Sequence, residues 1–268
     1  MRESPTVGII YPDHAAEDDY PFAADLLGVR LPVAHIYGTD LHAVPELLDL
    51  GSPGKLAAGA AKLAPESPDV VVWACTSGSF VYGPDGARNQ VVELSVAAGG
   101  IPASSTSFAF VEALRALDGQ KNHSATRVAI AASYPRDVSE LFVEFLRAAG
   151  IDVVSFTGAG IETAAQVGAL SADEVLALAA ANDHPDAQVL LVPDTAMHTL
   201  RFLPEIEKQV ASRYSPPTRS RCGRGFGSRD IHVYARSWAH CSRKVSIMRS
   251  VISGISNRGP TVDGGIDR

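Results

Sequence analysis

Short apolar segments alternate with longer segments of helical spacing along the first 210 residues of the chain. The apolar segments predict strands over residues 6–11, 29–36, 69–74, 102–106, 127–132, 152–156 and 188–193. Leu and Ala at helical spacing predict helices over residues 41–63, 86–98, 108–117, 137–149, 171–182 and 199–210. This alternation of strands with helices indicates an α/β fold with largely parallel, doubly wound sheet.

Local signals set the limits of some of these elements. Residues 51–54, Gly-Ser-Pro-Gly, divide the 41–63 pattern into two helices. Pro32 predicts that its strand lies at a sheet edge, because proline lacks the N–H that a neighbouring strand would use. Gly150 predicts the end of a helix, and Ser171 with Glu174 forms the pattern of a capping box.

The chain contains a faint internal repeat around two strand ends. The apolar segment over residues 70–74 is followed by Cys75, and the segment over residues 189–193 is followed by Asp194. In open α/β sheets, ligands bind beyond the carboxyl ends of the strands. Two related halves that face each other would therefore bring Cys75 and Asp194 to opposite walls of one cleft.

Cys75 has two interpretations. A lone cysteine after a strand is usually a small buried apolar residue. Residues 76–79, Thr-Ser-Gly-Ser, are polar and flexible for a core, and a loop that leads into a helix exposes N–H groups that stabilise anions. The same positive field would lower the pKa of the thiol and raise its thiolate fraction. We therefore expect Cys75 to carry the chemistry.

The other polar candidates each have a structural alternative. Asp194 is expected either to cap the following helix or to be a partly buried carboxyl that gives or takes a proton. Tyr134 is expected in packing, or as a hydroxyl that binds a substrate carboxylate. His198 is expected at the surface or at a cap. His14 with residues 17–19 is expected to form a solvated turn rather than a metal site, because the group lacks a regular ligand spacing.

Composition and motifs exclude several classes of protein. No apolar stretch is long enough to span a bilayer and the N-terminus shows no signal-peptide core, so the expected location is the cytoplasm. Three widely spaced cysteines without a CxxC motif exclude a disulfide framework and a standard zinc site. The chain lacks a Walker and a GxSxG motif, and the GxGxxT at residues 158–163 departs from the dinucleotide pattern. Cofactor-independent chemistry is the resulting expectation.

The charge changes abruptly near residue 212. The whole chain has a net charge of −7, and residues 213–268 contain ten Arg, one Lys and three Asp, a net of +8, so residues 1–212 carry −15. The same segment contains no Leu and no Glu. One interpretation is a basic arm that binds nucleic acid, which the lack of regularly interleaved aromatic residues disfavours. The composition shift by itself marks a boundary in the chain.

Motifs in residues 6–210 resemble those of a known superfamily. They lie at residues 8–12, 75–80, 102–107, 111–117, 132–134, 190–200 and 204–207. Together they are similar to the aspartate/glutamate racemase superfamily, in its maleate isomerase and arylmalonate decarboxylase branch. The resemblance implies two pseudo-symmetric α/β lobes, an active site between the lobes, and no metal or organic cofactor.

The resemblance also implies roles for individual residues. Racemases and maleate isomerases of this type use one cysteine in each lobe, whereas the decarboxylase keeps only the second-lobe cysteine and has glycine at the first position. This chain has Cys75 at the first position and Asp194 at the second, and these two are the expected catalytic residues. The expected substrate-binding residues are Pro12, Thr76, Ser77, Tyr134, Thr195 and Ala196.

The resemblance sets the expected domain limits. Residues 1–106 form the first lobe, with a final segment returning from the C-terminus, and residues 107–212 form the second. Family members continue near residue 212 with a segment similar to PVLTANQVTVWE. A nucleotide string that encodes residues 212–224 of this chain encodes that peptide when it is read from its third base. We therefore expect residues 213–268 to be a frameshifted, non-native and disordered basic tail.

Three functions remain open from the sequence. The first is a cofactor-independent isomerase or racemase of the maleate cis-trans isomerase type, which acts on a small carboxylate or dicarboxylate through Cys75. The second is an arylmalonate-type decarboxylase, and the third is a catalytically silent protein that binds small acids. The expected partners are a small carboxylate substrate and, at most, a second copy of the chain in a homodimer, with no nucleic acid and no membrane.

Overall fold

The computed structural model describes residues 4–12, 15–118 and 126–212 of the chain. His14 and the predicted basic tail over residues 213–268, with Cys222 and Cys241, lie outside the described residues, so the expectations for them stay predictions. Within the described part, no helix combines the length and the apolar character needed to cross a membrane.

The first sheet contains four parallel strands in the order β2-β1-β3-β4. Their bounds are Val7–Pro12 for β1, Val33–Ile36 for β2, Val70–Trp73 for β3 and Ala103–Ser105 for β4. The first five residues of β1 are buried, because both faces of a parallel sheet are covered. The β2 strand lies at the edge of the sheet, which confirms the prediction made from Pro32.

Five helices accompany this sheet. They are α1 (Asp19–Leu27), α2 (Val44–Leu50), α3 (Pro53–Leu63), the short α4 (Ser77–Phe80) and α5 (Gly83–Ala97). Helix α3 packs on β1 and β2 and also contacts α5. Residues 51–52 separate α2 from α3, as predicted, and Pro53 begins α3, where its missing N–H would have no partner in the helix.

The second sheet contains three parallel strands in the order β6-β5-β7. Its strands are β5 (Arg127–Ala132), β6 (Asp152–Gly158) and β7 (Val189–Leu191). The accompanying helices are α6 (Thr106–Asp118), α7 (Arg136–Ala148), α8 (Ala164–Gly168), α9 (Ala172–Ala181) and α10 (Leu203–Ser212), the last preceded by a 3₁₀ turn over Leu200–Phe202.

Two predicted helix limits are confirmed in this half. Gly150 has a φ of +83° and follows α7, a left-handed conformation that favours glycine. The capping box of α9 forms, because Ser171 Oγ accepts the Glu174 backbone N–H and the Glu174 carboxylate accepts the Ser171 backbone N–H.

The two sheets have related topologies. Each places its first strand between its second and third strands. The predicted α/β fold class with parallel sheets is confirmed, and the domain limits at residues 106 and 212 stay a prediction. One apolar cluster joins the halves, since it unites Phe80 and Ala87 of the first half with Tyr134, Phe142 and other residues of the second.

Some elements differ from the prediction. Helices α1 and α8 were not predicted, and the expected turn around residues 17–19 leads directly into α1. The Asp19 carboxylate at the start of α1 accepts hydrogen bonds from the backbone N–H groups of Thr199 (3.4 Å) and Leu200 (3.3 Å). This contact joins residues far apart in the sequence, so local spacing did not reveal it.

Candidate active site

Cys75 lies two residues beyond the end of β3, at the edge of a cavity between the two halves. The residue is 6 % exposed. The cavity is lined from the first half by Tyr11, Pro12, Gly38, Thr39, Asp40, Leu41, His42, Leu47, Leu50, Cys75 and Ser77, and from the second half by Ala164, Asp194, Thr195 and Ala196. The structure thus brings Cys75 and Asp194 to one cavity.

The peptide group of Gly78 holds the Cys75 sulfur in place. The Gly78 N–H donates a hydrogen bond to Cys75 Sγ at 3.3 Å, and Ser77 Oγ lies 3.6 Å from the same sulfur. The Gly78 carbonyl accepts hydrogen bonds from Trp73 Nε1 (3.1 Å) and Gln90 Nε2 (2.9 Å). These two donors fix the peptide plane and therefore aim its N–H at the sulfur.

Burial reverses the predicted effect on the Cys75 thiol. Removal from water raises the pKa of Cys75 to about 11, and the nearby Asp194 charge adds to this, against the opposing hydrogen bonds from Gly78 and Ser77. The expectation of a lowered thiol pKa was wrong. The sequence shows the N–H donors of the loop but not the depth at which the sulfur is buried.

The hydroxyl-rich segment after Cys75 is also buried, contrary to the prediction that it is too polar for a core. Thr76 Oγ1 donates to Thr106 Oγ1 at 3.1 Å, and Ser79 Oγ donates to Ser105 Oγ at 2.8 Å. Thr76 and Ser79 are fully enclosed. Hydroxyl partners at the end of β4 satisfy these groups, so the segment tolerates burial.

We expect the alkylation of Cys75 in the folded chain to depend steeply on pH. Below a pKa of about 11 the thiolate fraction rises about tenfold for each pH unit. The rate of iodoacetamide labelling of the Cys75 peptide, followed by mass spectrometry, should therefore still be rising between pH 8 and pH 10. The same peptide in guanidinium-denatured chain serves as the control and should level off near the ordinary thiol pKa of about 8.5. A plateau below pH 9 in the folded chain would contradict the burial effect.

We expect Gly78→Ala to disturb the site and Gly54→Ala to leave it intact. A Cβ at Gly78 would lie 2.8 Å from the Trp73 ring and 3.1 Å from Cys75 Sγ, whereas a Cβ at Gly54 would meet no atom within 4 Å. The first variant should lose about 1–3 kcal/mol of unfolding free energy through overpacking. The second should be neutral or slightly more stable. Urea denaturation measures both, and equal midpoints would refute the close packing at Gly78.

Asp194 is buried and its two oxygens are both occupied. Its Oδ2 accepts a hydrogen bond from Ser133 Oγ, and its Oδ1 accepts the Ala196 backbone N–H at 2.9 Å. The following 3₁₀ turn is preceded by Thr199 as its N-cap, so the helix-capping alternative for Asp194 was wrong. Asp194 instead organises the turn at the end of β7.

Direct hydrogen bonds join the Asp194 turn to the strands of the first half. Thr195 Oγ1 donates to the carbonyl of Ala74 at 3.1 Å, and Tyr11 Oη donates to the carbonyl of Thr195 at 2.8 Å. Tyr11 also accepts the Ala16 N–H at 3.0 Å. Burial raises the pKa of Tyr11, so it stays a neutral donor. The turn is thereby bound next to the residue that precedes Cys75.

Two of the predicted substrate-binding residues lie behind the cavity wall. Thr76 and Tyr134 do not line the cavity, whereas Pro12, Ser77, Thr195 and Ala196 do. The Tyr134 hydroxyl lies close to Thr76 and Ser77 but makes no hydrogen bond of standard geometry with the described residues. Burial, together with the Asp194 charge, raises the pKa of Tyr134 well above its ordinary value, so this hydroxyl remains protonated.

His42 is a site residue that sequence reasoning missed. It is buried, lines the cavity and lies just before α2. Its Nε2 is 3.9 Å from Asp194 Oδ2. The sequence offered little signal, since a single histidine at the start of a helical pattern has no motif around it. Gln90, which supports Gly78, was missed for the same reason. Ser133, which supports Asp194, lies in the motif at residues 132–134, but no role was assigned to it.

His198 points away from this cavity. Its Nδ1 lies 3.0 Å from Asp18 Oδ1, and Arg201 lies 3.6 Å from the other oxygen of Asp18. A second, largely apolar cavity borders Asp19 and Tyr20 on the other side of the Asp194 turn, and Cys75 does not line it. Cys75 and His42 therefore line only the first of these two cavities, whereas Asp194 and Thr195 line both.

Comparison with known families shows the family of this chain. The family model described as arylmalonate decarboxylase matches residues 52–216, which is more than half of the chain. The chain belongs to the arylmalonate decarboxylase family. The predicted branch of the superfamily is thereby confirmed.

One curated relative in this branch is a maleate isomerase. Maleate isomerase of Nocardia farcinica is 31 % identical over 136 residues, and the match covers 49 % of this chain and 51 % of the relative. The chain thus matches about half the length of this curated relative.

Solved structures confirm the fold. A maleate isomerase variant of Pseudomonas putida S16 with maleate has a TM-score of 0.72 at 18 % identity, covering 94 % of this chain and 92 % of that one. A Nocardia farcinica maleate cis-trans isomerase variant with a covalently bound succinylcysteine intermediate has a TM-score of 0.72 at 20 % identity, covering 92 % of both chains. An arylmalonate decarboxylase has a TM-score of 0.63 at 19 % identity, covering 97 % and 96 %.

Proposed function

We propose that this protein is a cofactor-independent cis-trans isomerase of a small unsaturated dicarboxylate such as maleate, with Cys75 as the nucleophile. The observation that carries the proposal is the Cys75 sulfur at the wall of a cavity that the Asp194 turn closes from the other half. The relatives support it, because one binds maleate and another carries a succinylcysteine intermediate.

The proposed reaction needs no external oxidant or reductant. The Cys75 thiolate adds to one alkene carbon, so that a C–S bond forms and the π electrons move to the neighbouring carbon and its carboxylate. The former double bond is then single and rotates. The neighbouring carbon takes up a proton, which gives a saturated thioether. After rotation this carbon loses a proton, the electrons return, the C–S bond breaks and the trans isomer leaves.

Several groups at the cavity can hold the substrate carboxylates. Ser77 offers a hydroxyl, the turn at Thr195 and Ala196 belongs to the cavity wall, and Tyr134 offers a buried hydroxyl just behind it. Donors fixed in place before binding stabilise the charge that develops on a carboxylate during addition. We propose Pro12 and Thr76 as supports of this wall.

A decarboxylase of arylmalonates is the second candidate, and the family model favours it. After loss of carbon dioxide, such an enzyme must protonate a carbanion, a step that the resemblance assigns to a second-lobe thiol. Asp194 occupies that position, and both of its oxygens already accept hydrogen bonds. The only thiol of the described residues, Cys75, lies in the first half rather than at this position. The arrangement therefore favours the isomerase.

A substrate panel separates the candidates. Conversion of maleate to fumarate, followed by ultraviolet absorbance, supports the isomerase, and release of carbon dioxide from phenylmalonate supports the decarboxylase. Thermal stabilisation by either acid without turnover supports a silent binding protein. Absence of both turnover and stabilisation would contradict all three.

We also propose that the partners are confined to the small carboxylate and, at most, a second copy of the chain, and that the protein acts in the cytoplasm. The support for the small carboxylate is the arylmalonate decarboxylase family to which the chain belongs. Light scattering after size-exclusion chromatography tests the homodimer.

A further inference from the structure

We propose that His42 is the acid–base residue opposite Cys75. The Asp194 carboxylate balances the charge of the protonated imidazole and does not exchange the proton itself. This inference deepens the proposed isomerase function and rests on it. It replaces the role of opposite acid that the sequence assigned to Asp194.

The position of His42, a residue of the first half, is set by contacts with the second half of the molecule. Its backbone N–H donates to the carbonyl of Glu162 at 2.7 Å, and its Nδ1 lies 3.0 Å from the carbonyl oxygen of Ile161. The ring is edge-on to Tyr134, with centroids 5.0 Å apart and planes at 85°. The imidazole is therefore held against the second half, with Nδ1 directed at Ile161.

These contacts determine which nitrogen faces the chemistry. A carbonyl oxygen only accepts hydrogen bonds, so the proton on Nδ1 is the one that Ile161 binds. Nε2 is left to face Asp194 Oδ2 at 3.9 Å, and both His42 and Asp194 line the cavity that Cys75 borders. Nε2 is thus the ring atom that can exchange a proton with the cavity.

The hydrogen bonds of Asp194 suit a partner of His42 better than a proton donor. Its two oxygens accept from Ser133 and Ala196, and both donors fit a carboxylate. Oδ2 of this carboxylate lies 3.9 Å from Nε2, so a negative charge stands beside the ring nitrogen that faces the cavity. The Ser133 hydroxyl, the Asp194 carboxylate and His42 Nε2 therefore lie next to one another in that order.

The proton balance of the proposed reaction closes through this residue. Burial keeps the Cys75 thiol protonated at neutral pH, so its proton must leave before the sulfur adds to the alkene. Neutral His42 takes up that proton at Nε2. After the C–S bond has formed, the Nε2–H bond breaks and a C–H bond forms at the neighbouring carbon, which gives a saturated thioether. The same steps in reverse, after rotation, release the trans acid and return the proton to sulfur.

The first test does not depend on turnover. The full chain is labelled with ¹⁵N-histidine, and long-range ¹H–¹⁵N spectra report which ring nitrogen carries the proton; the His42 signal is assigned by its loss in His42→Asn. We expect the neutral ring to carry its proton on Nδ1. A neutral ring with the proton on Nε2 would overturn the proposal.

The second test compares two variants in the maleate assay. His42→Asn keeps a donor for Ile161 but removes Nε2, and we expect kcat to fall at least about 10²-fold with KM changed less than threefold. Asp194→Asn should cost less than His42→Asn, since the imidazole remains. A larger loss in Asp194→Asn than in His42→Asn would overturn the assignment.

Controls separate this proposal from folding and from the proposed function. His184, whose Nδ1 accepts the Asp186 N–H at the surface, offers a matched control, and His184→Asn should keep full activity. Melting curves verify the fold of each variant, and His42→Gln replaces His42→Asn if the latter does not fold. If the unmodified chain does not convert maleate, the proposed function fails, while the ¹⁵N result still decides the orientation of His42.

Discussion

Cys75→Ser should reduce kcat for maleate conversion by at least about 10³-fold, because loss of a covalent nucleophile removes the step on which the rest of the site acts. Serine is close in size, and the Gly78 N–H and Ser77 Oγ that now contact sulfur can also contact its oxygen. The free energy of unfolding should therefore change little. Steady-state rates from ultraviolet absorbance, together with a urea melt, separate the two effects.

The two other cysteines supply matched controls for this result. Cys222→Ser and Cys241→Ser make the same chemical change outside the described residues and should leave kcat unchanged. Intact-mass measurement after rapid quenching should show a dicarboxylate adduct on the unmodified chain and none on Cys75→Ser. Full activity of Cys75→Ser would remove Cys75 from the mechanism.

Restoration of the reading frame near Ser212 should raise the apparent melting temperature by about 10 °C or more. The second edge of β7 has no partner among the described strands, whereas the corresponding β3 pairs with β4 in the first sheet. The in-frame peptide PVLTANQVTVWE would supply a fourth strand at that edge. Two or three newly buried apolar side chains contribute about 5 kcal/mol, and each kcal/mol shifts the melting temperature of a chain of this size by about 2–4 °C.

The peptide itself is consistent with this placement. Like residues 102–111, which form β4 and the start of α6, it begins with proline, has a hydroxyl residue at its fourth position and valine at its tenth. The family match also ends at residue 216, close to the predicted frame change.

A chain that ends at Ser212 is the control for the frame experiment. It separates the effect of removing the basic tail from the effect of gaining the strand. Its melting temperature should match that of the existing chain rather than that of the restored chain. We also expect the restored chain to show the higher kcat, because the new strand would support the Asp194 turn that follows β7. Gene sequencing across residue 212 gives an independent answer: an intact frame whose codons cannot encode the peptide would contradict the hypothesis.

Much of the scaffold could be predicted because its signals are local. Strands with both faces buried are largely apolar, as in β1 and in β5 after Arg127. In the intervening helices, apolar residues recur every three to four positions. The positions of Cys75 and Asp194 beyond the ends of β3 and β7 follow from the same pattern, since the strand ends are visible in the sequence. The cap of α9 is local as well, because Ser171 and Glu174 lie within one turn.

What the sequence by itself determined is therefore the α/β fold, the two related halves and the two strand ends that carry Cys75 and Asp194. Only the tertiary structure decided how these groups behave. The Cys75 pKa moves upward because burial outweighs the local N–H donors, and burial depends on the packing of both halves. His42 meets Ile161 across 119 residues and meets Asp194 across the cavity. Such contacts arise only when the halves close on each other, so no local pattern encodes them.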